Sequence, residues 1–346
     1  TEKVPGLDVV LVGHDHSGWN FTTKNPDGKD VLILGTTAGA QNVAVANYTL
    51  KYDKMCMIYD KKEIRGELVD MKDYAIDQNF VNHFSKNLEA VRNYISRPVG
   101  EFTEMISSRE SMFGPSKFVD LIHTVQLALT DADVSFTAPL SFNAKIDAGK
   151  IFVRDMFDLY RYENFLYTME LSGQEIKDYL EYSYGNWMNQ MKDENDHLLK
   201  FKLDEKGNLI YSERSKSPEL EERYYNFDSA AGIEYVVDVT KPAGDRIKII
   251  KFSNGNVFEL NKKYKVAINS YRGNGGGGHL TRGAKIPQEE LSKRIINSTE
   301  KDLRYFVMKW IENKQTVKPK LIGNWKVEPE NFWQAGKEID YKLLFK

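Results

Sequence analysis

Hydrophobic positions change their spacing several times along the chain, and each change marks an element. Short β-rich runs at residues 9–12, 31–34 and 43–52 are separated by Gly, Asn and Asp, a pattern that predicts strands. Asn25-Pro26-Asp27-Gly28 lies between two of them as a turn signal. Over 77–96 the spacing becomes helical, with Phe80, Phe84, Leu88, Val91 and Ile95 forming one apolar stripe. Asp77 is placed to cap that helix, and Pro98 lies just past its end.

From residue 99 onward the two periodicities intermix. Phe118, Leu121, Ile122 and Val125 predict a helix begun near Gly114-Pro115, followed by a strand at 133–138. A short helix is expected over 154–160 and a strand over 164–171. Gly173 opens a helix with Ile176, Tyr179, Leu180 and Tyr184 on one face. Residues 188–221 are polar and charged, which predicts a surface excursion with 198–203 and 209–211 paired as a hairpin. Strands are expected at 223–227, 233–239, 246–252 and 264–270. A last helix over 300–313 carries Leu303, Phe306, Val307 and Trp310 on its apolar side. The alternation predicts a mixed α/β (α+β) fold, and no internal repeat is found.

Composition narrows the class. An apolar content of 41% and a charged content of 28% are those of a globular chain with a substantial core. A length of 346 residues suggests about two domains. The formal net charge of −2, with both signs interspersed, offers no basic face to a nucleic-acid polymer, though it leaves a single nucleotide open as a ligand. Cys56 is the only cysteine, so no intrachain disulfide forms; it is expected to fill a small apolar gap. No apolar run approaches the roughly 18 residues of a membrane span.

Candidate chemistry begins at Gly13-His14-Asp15-His16, directly after the first strand. Two imidazoles one residue apart at a strand end can each offer a nitrogen to a metal, although an ordinary polar turn has the same spelling. A catalytic metal normally takes at least three protein ligands. Few residues precede the motif, so the chain is expected to be the C-terminal part of a larger metalloenzyme. His83, His123, His197 and His279 have no partner at ligand spacing and are expected to be structural.

The second distinctive stretch is Ser270-Tyr271-Arg272-Gly273-Asn274-Gly275-Gly276-Gly277-Gly278-His279. It contains G-x-G-x-x-G, but the dinucleotide fingerprint needs a helix to begin there, and none is patterned. No Gly-Lys-Ser/Thr of a phosphate loop is present. So many glycines mean positive φ or a close approach to the backbone. The loop is either a flexible connection or the wall of a ligand slot, with Tyr271 as a stacking face.

The order of Gly-His-Asp-His, a linker helix, and a strand leading to the Gly-rich loop resembles the two-domain 5′-nucleotidase family. Further matches lie at Asp147-Ala148-Gly149-Lys150-Ile151, Leu171-Ser172-Gly173, Tyr225-Asn226-Phe227-Asp228 and Lys241-Pro242. The spellings Tyr160-Arg161-Tyr162-Glu163-Asn164 and Ser270-Tyr271-Arg272 are nearer the 2′,3′-cyclic-nucleotide 2′-phosphodiesterase/3′-nucleotidase branch. The resemblance implies that residues 1–60 end a calcineurin-like metallophosphoesterase domain, 61–98 form a linker with a helix, and 99–346 form the nucleotide-binding C-terminal domain.

The resemblance also implies roles. His14 and His16 would each bind one of two divalent ions (Zn, Mn or similar), which polarise the phosphoryl oxygens and activate a water. The remaining ligands in such enzymes lie upstream, in Asp-x-His, Gly-Asp and Gly-Asn-His segments, so this chain alone is expected to be inactive. Tyr271 would stack on the base, with Phe227 or Tyr162 on the other side, and Asn274, Gly275, Gly276 and Gly277 as the wall. Many relatives have Asp at the place of Gly277 and Arg at the place of Asn143. Those departures fit a substrate whose 2′ and 3′ oxygens carry phosphate, since a carboxylate there would repel it. A periplasmic or extracellular location follows from the resemblance alone. The competing readings are a nucleoside-binding module without catalysis, and a polysaccharide- or protein-binding domain that kept only the fold.

Overall fold

The computed structural model describes residues 2–212 and 216–345. The chain forms two compact units, Thr1–Glu89 and Ala90–Lys346.

In the first unit, the strand Asp30–Thr37 is central, with Val9–Val12 parallel on one side and Ser17–Lys24 antiparallel on the other. Val31, Leu32, Ile33 and Leu34 are buried, as expected of an unbroken apolar run flanked on both edges. A long hairpin, Asn42–Asp53 with Ile58–Asp70, packs over this sheet at Gly66. A methyl group at Gly66 would come within 2.7 Å of Leu34 and 2.9 Å of Leu32. Cys56 does not fill an apolar gap: it sits exposed between the hairpin strands, beside Met55 and Met57. Ser17–Lys24 and Ile58–Asp70 are strands that the sequence pattern did not predict. The helix Gln78–Ile95 begins where expected, with Asp77 Oδ1 accepting from the amides of Asn79 and Phe80; none of its residues is buried.

The second unit is built on a five-stranded mixed sheet in the order Ser229–Ala231, Val134–Thr137, Lys263–Asn269, Phe165–Ser172, Ile295–Asp302. Lys263–Asn269 runs parallel to Val134–Thr137 and antiparallel to Phe165–Ser172. Two three-stranded sheets accompany it, one around Ile233–Asp238 and one around Pro98–Phe102. The helix Gly173–Trp187 starts on a capping box in which Ser172 and Glu175 satisfy each other's amides. Its buried face includes Ile176, Tyr179, Leu180 and Tyr184. Lys117–Thr130 is capped by Ser116 Oγ on the Val119 amide.

Several expectations need correction. Residues 188–221 are not purely a surface excursion, because Met188, Met191, Leu198, Leu199 and Phe201 are buried. The expected strand at 223–227 is a 3₁₀ turn, Tyr224–Asn226. Residues 300–302 belong to the edge strand Ile295–Asp302, and the helix begins at Leu303 on an Asp302 cap. A C-terminal helix, Glu330–Phe345, went unpredicted.

Candidate functional site

The strand Lys263–Asn269 lies in the middle of the five-stranded sheet, and its last four residues are buried. Asn269 ends it as a cap, its Oδ1 accepting from the Arg272 amide at 2.9 Å, and so forces the short helical turn Ser270–Gly273. That turn sends neighbouring side chains in opposite directions: Tyr271 is 46% exposed and Arg272 only 1%.

The glycines after it are required. Gly275, Gly277 and Gly278 have φ of 95°, 73° and 79°. A methyl group at Gly276 would come within 2.6 Å of the Tyr271 ring. The ring therefore lies directly on the loop backbone, with the Arg272 guanidinium carbon 5.3 Å from its centroid. Helical hydrogen bonding continues through Gly276–Gly278 and a single π-type turn, His279–Gly283, but no longer helix forms, in line with the rejected dinucleotide reading.

Arg272 ties this loop to the turn Tyr224–Asn226. Nη2 donates to the Tyr225 carbonyl at 2.6 Å and to Asp228 Oδ1 at 2.9 Å. Nη1 donates to Asn226 Oδ1 at 2.9 Å and to the Gly276 carbonyl at 3.2 Å. Nε donates to Asp228 as well. Asp228 is fully buried and also accepts from the Tyr179 hydroxyl. Burial pushes the Asp228 carboxyl up, but the Arg272 charge outweighs it and holds the group below the usual range.

Beyond Arg272 a run of aromatic contacts continues the face. Tyr225 meets Tyr162 edge-on, with centroids 6.0 Å apart, and Tyr224 at 5.5 Å. Tyr224 meets Phe142 at 5.5 Å. Burial pushes the half-buried Tyr162 phenol up to about 12, so it stays protonated at neutral pH. Asn143 is exposed next to Phe142, and its Oδ1 accepts from Arg109 Nε at 2.6 Å. A guanidinium thus reaches position 143 from a different segment.

Phe227 is not an open platform. It is 1% exposed, stacked on Trp187 with centroids 5.3 Å apart and met edge-on by Tyr184. The Tyr224–Asn226 turn points Phe227 into the core and leaves Tyr224 and Tyr225 half-exposed. Asn274 is exposed, with its carbonyl accepting from Gln288. Arg272, Asp228 and Arg109 were not foreseen as site residues. No signal in the sequence assigns a role to Asp228 or Arg109, and Arg272 is marked only by its place beside the glycines.

His14 and His16 lie in the first unit, both exposed and both at positive φ, 77° and 60°. Between them Asp15 accepts from the Ser17 amide and, at 2.5 Å, from Trp19 Nε1. Among the described residues no group of three or more His, Cys, Asp or Glu side chains is placed to hold a metal ion. The pair alone does not fit a catalytic ion, so no step is drawn through one here.

Comparison with solved structures defines the class. A chain from Staphylococcus aureus assigned as a 5′-nucleotidase superposes with a TM-score of 0.63 at 20% identity, over 92% of this chain and 56% of that one. A 5′-nucleotidase precursor from Thermus thermophilus gives 0.54 at 20% identity, over 95% and 61%. The shared fold is thus a mixed α/β one. The family described as 5′-nucleotidase, C-terminal domain, matches residues 98–282, and the chain belongs to that family. Among curated relatives, the trifunctional nucleotide phosphoesterase protein YfkN of Bacillus subtilis is 24% identical over 94% of this chain and 23% of its own length. The 2′,3′-cyclic-nucleotide 2′-phosphodiesterase/3′-nucleotidase of Salmonella typhimurium is 24% identical over 94% of this chain and 54% of its length. The chain therefore spans about half or less of the relatives it matches.

Proposed function

We propose that this chain is the substrate-binding part of a metal-dependent nucleotide phosphoesterase, acting on 2′,3′-cyclic and 3′-nucleotides or on 5′-nucleotides. The observation that carries the reading is Tyr271: an aromatic ring held half-exposed at the end of a central buried strand, backed by a glycine loop. A base stacks on such a ring whatever its identity, for about 1–3 kcal/mol. The opposite ring comes from the Tyr162–Tyr225 pair, in place of the buried Phe227. The Gly275–Gly277 backbone lines the slot, and Arg109 with Asn143 offers donors to the anionic end of the ligand. His14 and His16 lend two ligands to a metal centre completed by residues outside this chain, in a protein exported to the periplasm or beyond. Residues 1–60, 61–98 and 99–346 are its metallophosphoesterase end, linker and nucleotide domain.

The test is a titration with adenosine, 3′-AMP and 5′-AMP, followed by tyrosine fluorescence. Saturable binding is expected, weakened in Tyr271→Ala by about 1–3 kcal/mol. Binding that Tyr271→Ala leaves intact would place the base elsewhere. A 5′-AMP affinity far above that for 3′-AMP would remove the cyclic-phosphate branch of the reading.

A further inference from the structure

Arg272 uses every donor it has. A guanidinium carries five N–H groups, and here they meet the Asp228 carboxylate twice, the Asn226 side chain, and the carbonyls of Tyr225 and Gly276. None is left for a ligand. Burying such a group is costly, and a buried ion pair is weak evidence for stability, since apolar side chains of similar volume often do as well. The retained charge calls for another explanation, and the geometry supplies one. Two of the acceptors, Asn226 and the Tyr225 carbonyl, lie on one wall of the proposed slot; a third, Gly276, is the backbone on which the Tyr271 ring rests. The guanidinium itself lies 5.3 Å from the centre of that ring, within cation–π range.

We infer that Arg272, held by Asp228, is a positioning residue: it fixes the Tyr271 ring and sets its separation from the Tyr225–Asn226 wall. The inference rests on the reading of Tyr271 as the base platform. Arg272 touches no ligand; it acts through the ring and the loop. Arg→Lys keeps the charge but loses the planar fork that spans these acceptors.

The experiment places 3-fluorotyrosine at position 271 of the full chain and compares wild type with Arg272→Lys by fluorine NMR and adenosine titration. In the folded variant the ring resonance is expected to broaden or shift, and adenosine affinity to fall about tenfold, as for a site left loosely supported. A ring signal identical to wild type in a folded variant overturns the inference, whatever the binding does. Should Arg272→Lys fail to fold, Asp228→Asn, which keeps the shape of the partner and removes its charge, is read the same way. If wild type binds no adenosine, the nucleotide reading falls, and the ring signal alone still decides whether Arg272 orders Tyr271.

Discussion

Two loops in this chain follow a strand and carry residues proposed to meet a ligand, yet they are built in opposite ways. Gly13–His16 follows Val9–Val12, an outer strand of a small sheet, and holds two non-glycine residues in left-handed backbone. Ser270–Gly278 follows the central strand of the large sheet, and its left-handed positions are all glycine. Behind Tyr271 stands a saturated, buried ion pair; His14 and His16 are exposed, and no cluster of ligating side chains surrounds them among the described residues. The second loop is organised by its own unit. The first keeps two left-handed residues on either side of Asp15, which bonds the Ser17 amide and Trp19, and strain of this kind clusters at functional sites.

The contrast can be broken most severely at Asp228. Asp228→Ala leaves the Arg272 charge buried without its carboxylate, and should lower stability by about 3–5 kcal/mol in denaturant unfolding followed by tryptophan fluorescence. A loss below about 1 kcal/mol would mean that water reaches the guanidinium. Next comes Gly277→Ala. Its Cβ would fall 2.2 Å from Arg272 Nη1 at a φ of 73°, for an expected cost of about 1–3 kcal/mol.

Acid is a third way in. Burial pushes the imidazole of His123, and burial with the Arg272 charge that of His279, from 6.5 down to about 3. The folded state refuses protons that the unfolded chain accepts, so this stability is complete above pH 6.5 and is lost as pH falls towards 3. Burial pushes Asp120 the other way, from 3.8 up to about 6, so it favours the folded state as pH falls between those values. Between them, these two histidines and one carboxyl take up about one proton on unfolding near pH 5, about 1.4 kcal/mol per pH unit, and the Asp340 and Asp158 carboxyls, also raised, pull the other way. His123→Asn should flatten that slope, and a slope unchanged by it would show His123 already protonated in the fold. The smallest effect belongs to the first loop: His14→Gly should raise stability by about 1 kcal/mol in the same unfolding assay, by relieving a left-handed residue. Both loops thus favour glycine at their left-handed positions, and the second loop alone of the two carries it there.

The sequence made most of the second unit legible where side chains follow a period: the stripe of Gly173–Trp187 and the strand that ends before Tyr271. It failed where a polar or small residue interrupts the apolar face. Glu330–Phe345 packs Phe332, Trp333, Tyr341, Leu344 and Phe345 against the core, but its buried face also holds Gly336 and Asp340, the latter bonded to His197 and the Leu199 amide. Ile295–Asp302 is a largely exposed edge strand with no alternation to read. At the site, Tyr271 was legible because a strand end and glycines surround it. Phe227 was misplaced because a one-residue difference in where the turn falls reverses which ring faces outward. Arg272 was illegible as a site residue because a lone arginine in sequence reads as surface charge, and its partner Asp228 arrives only through the tertiary fold.

The crowding between Gly277 and Arg272 also ties distant positions together. A side chain at position 277 would press its Cβ against the guanidinium, so any residue other than glycine there requires Arg272 to shift. If Arg272 gives way, Asp228 loses its counter-charge. Positions 228, 272 and 277 are therefore energetically coupled, and the effects of substitutions at any two of them do not add.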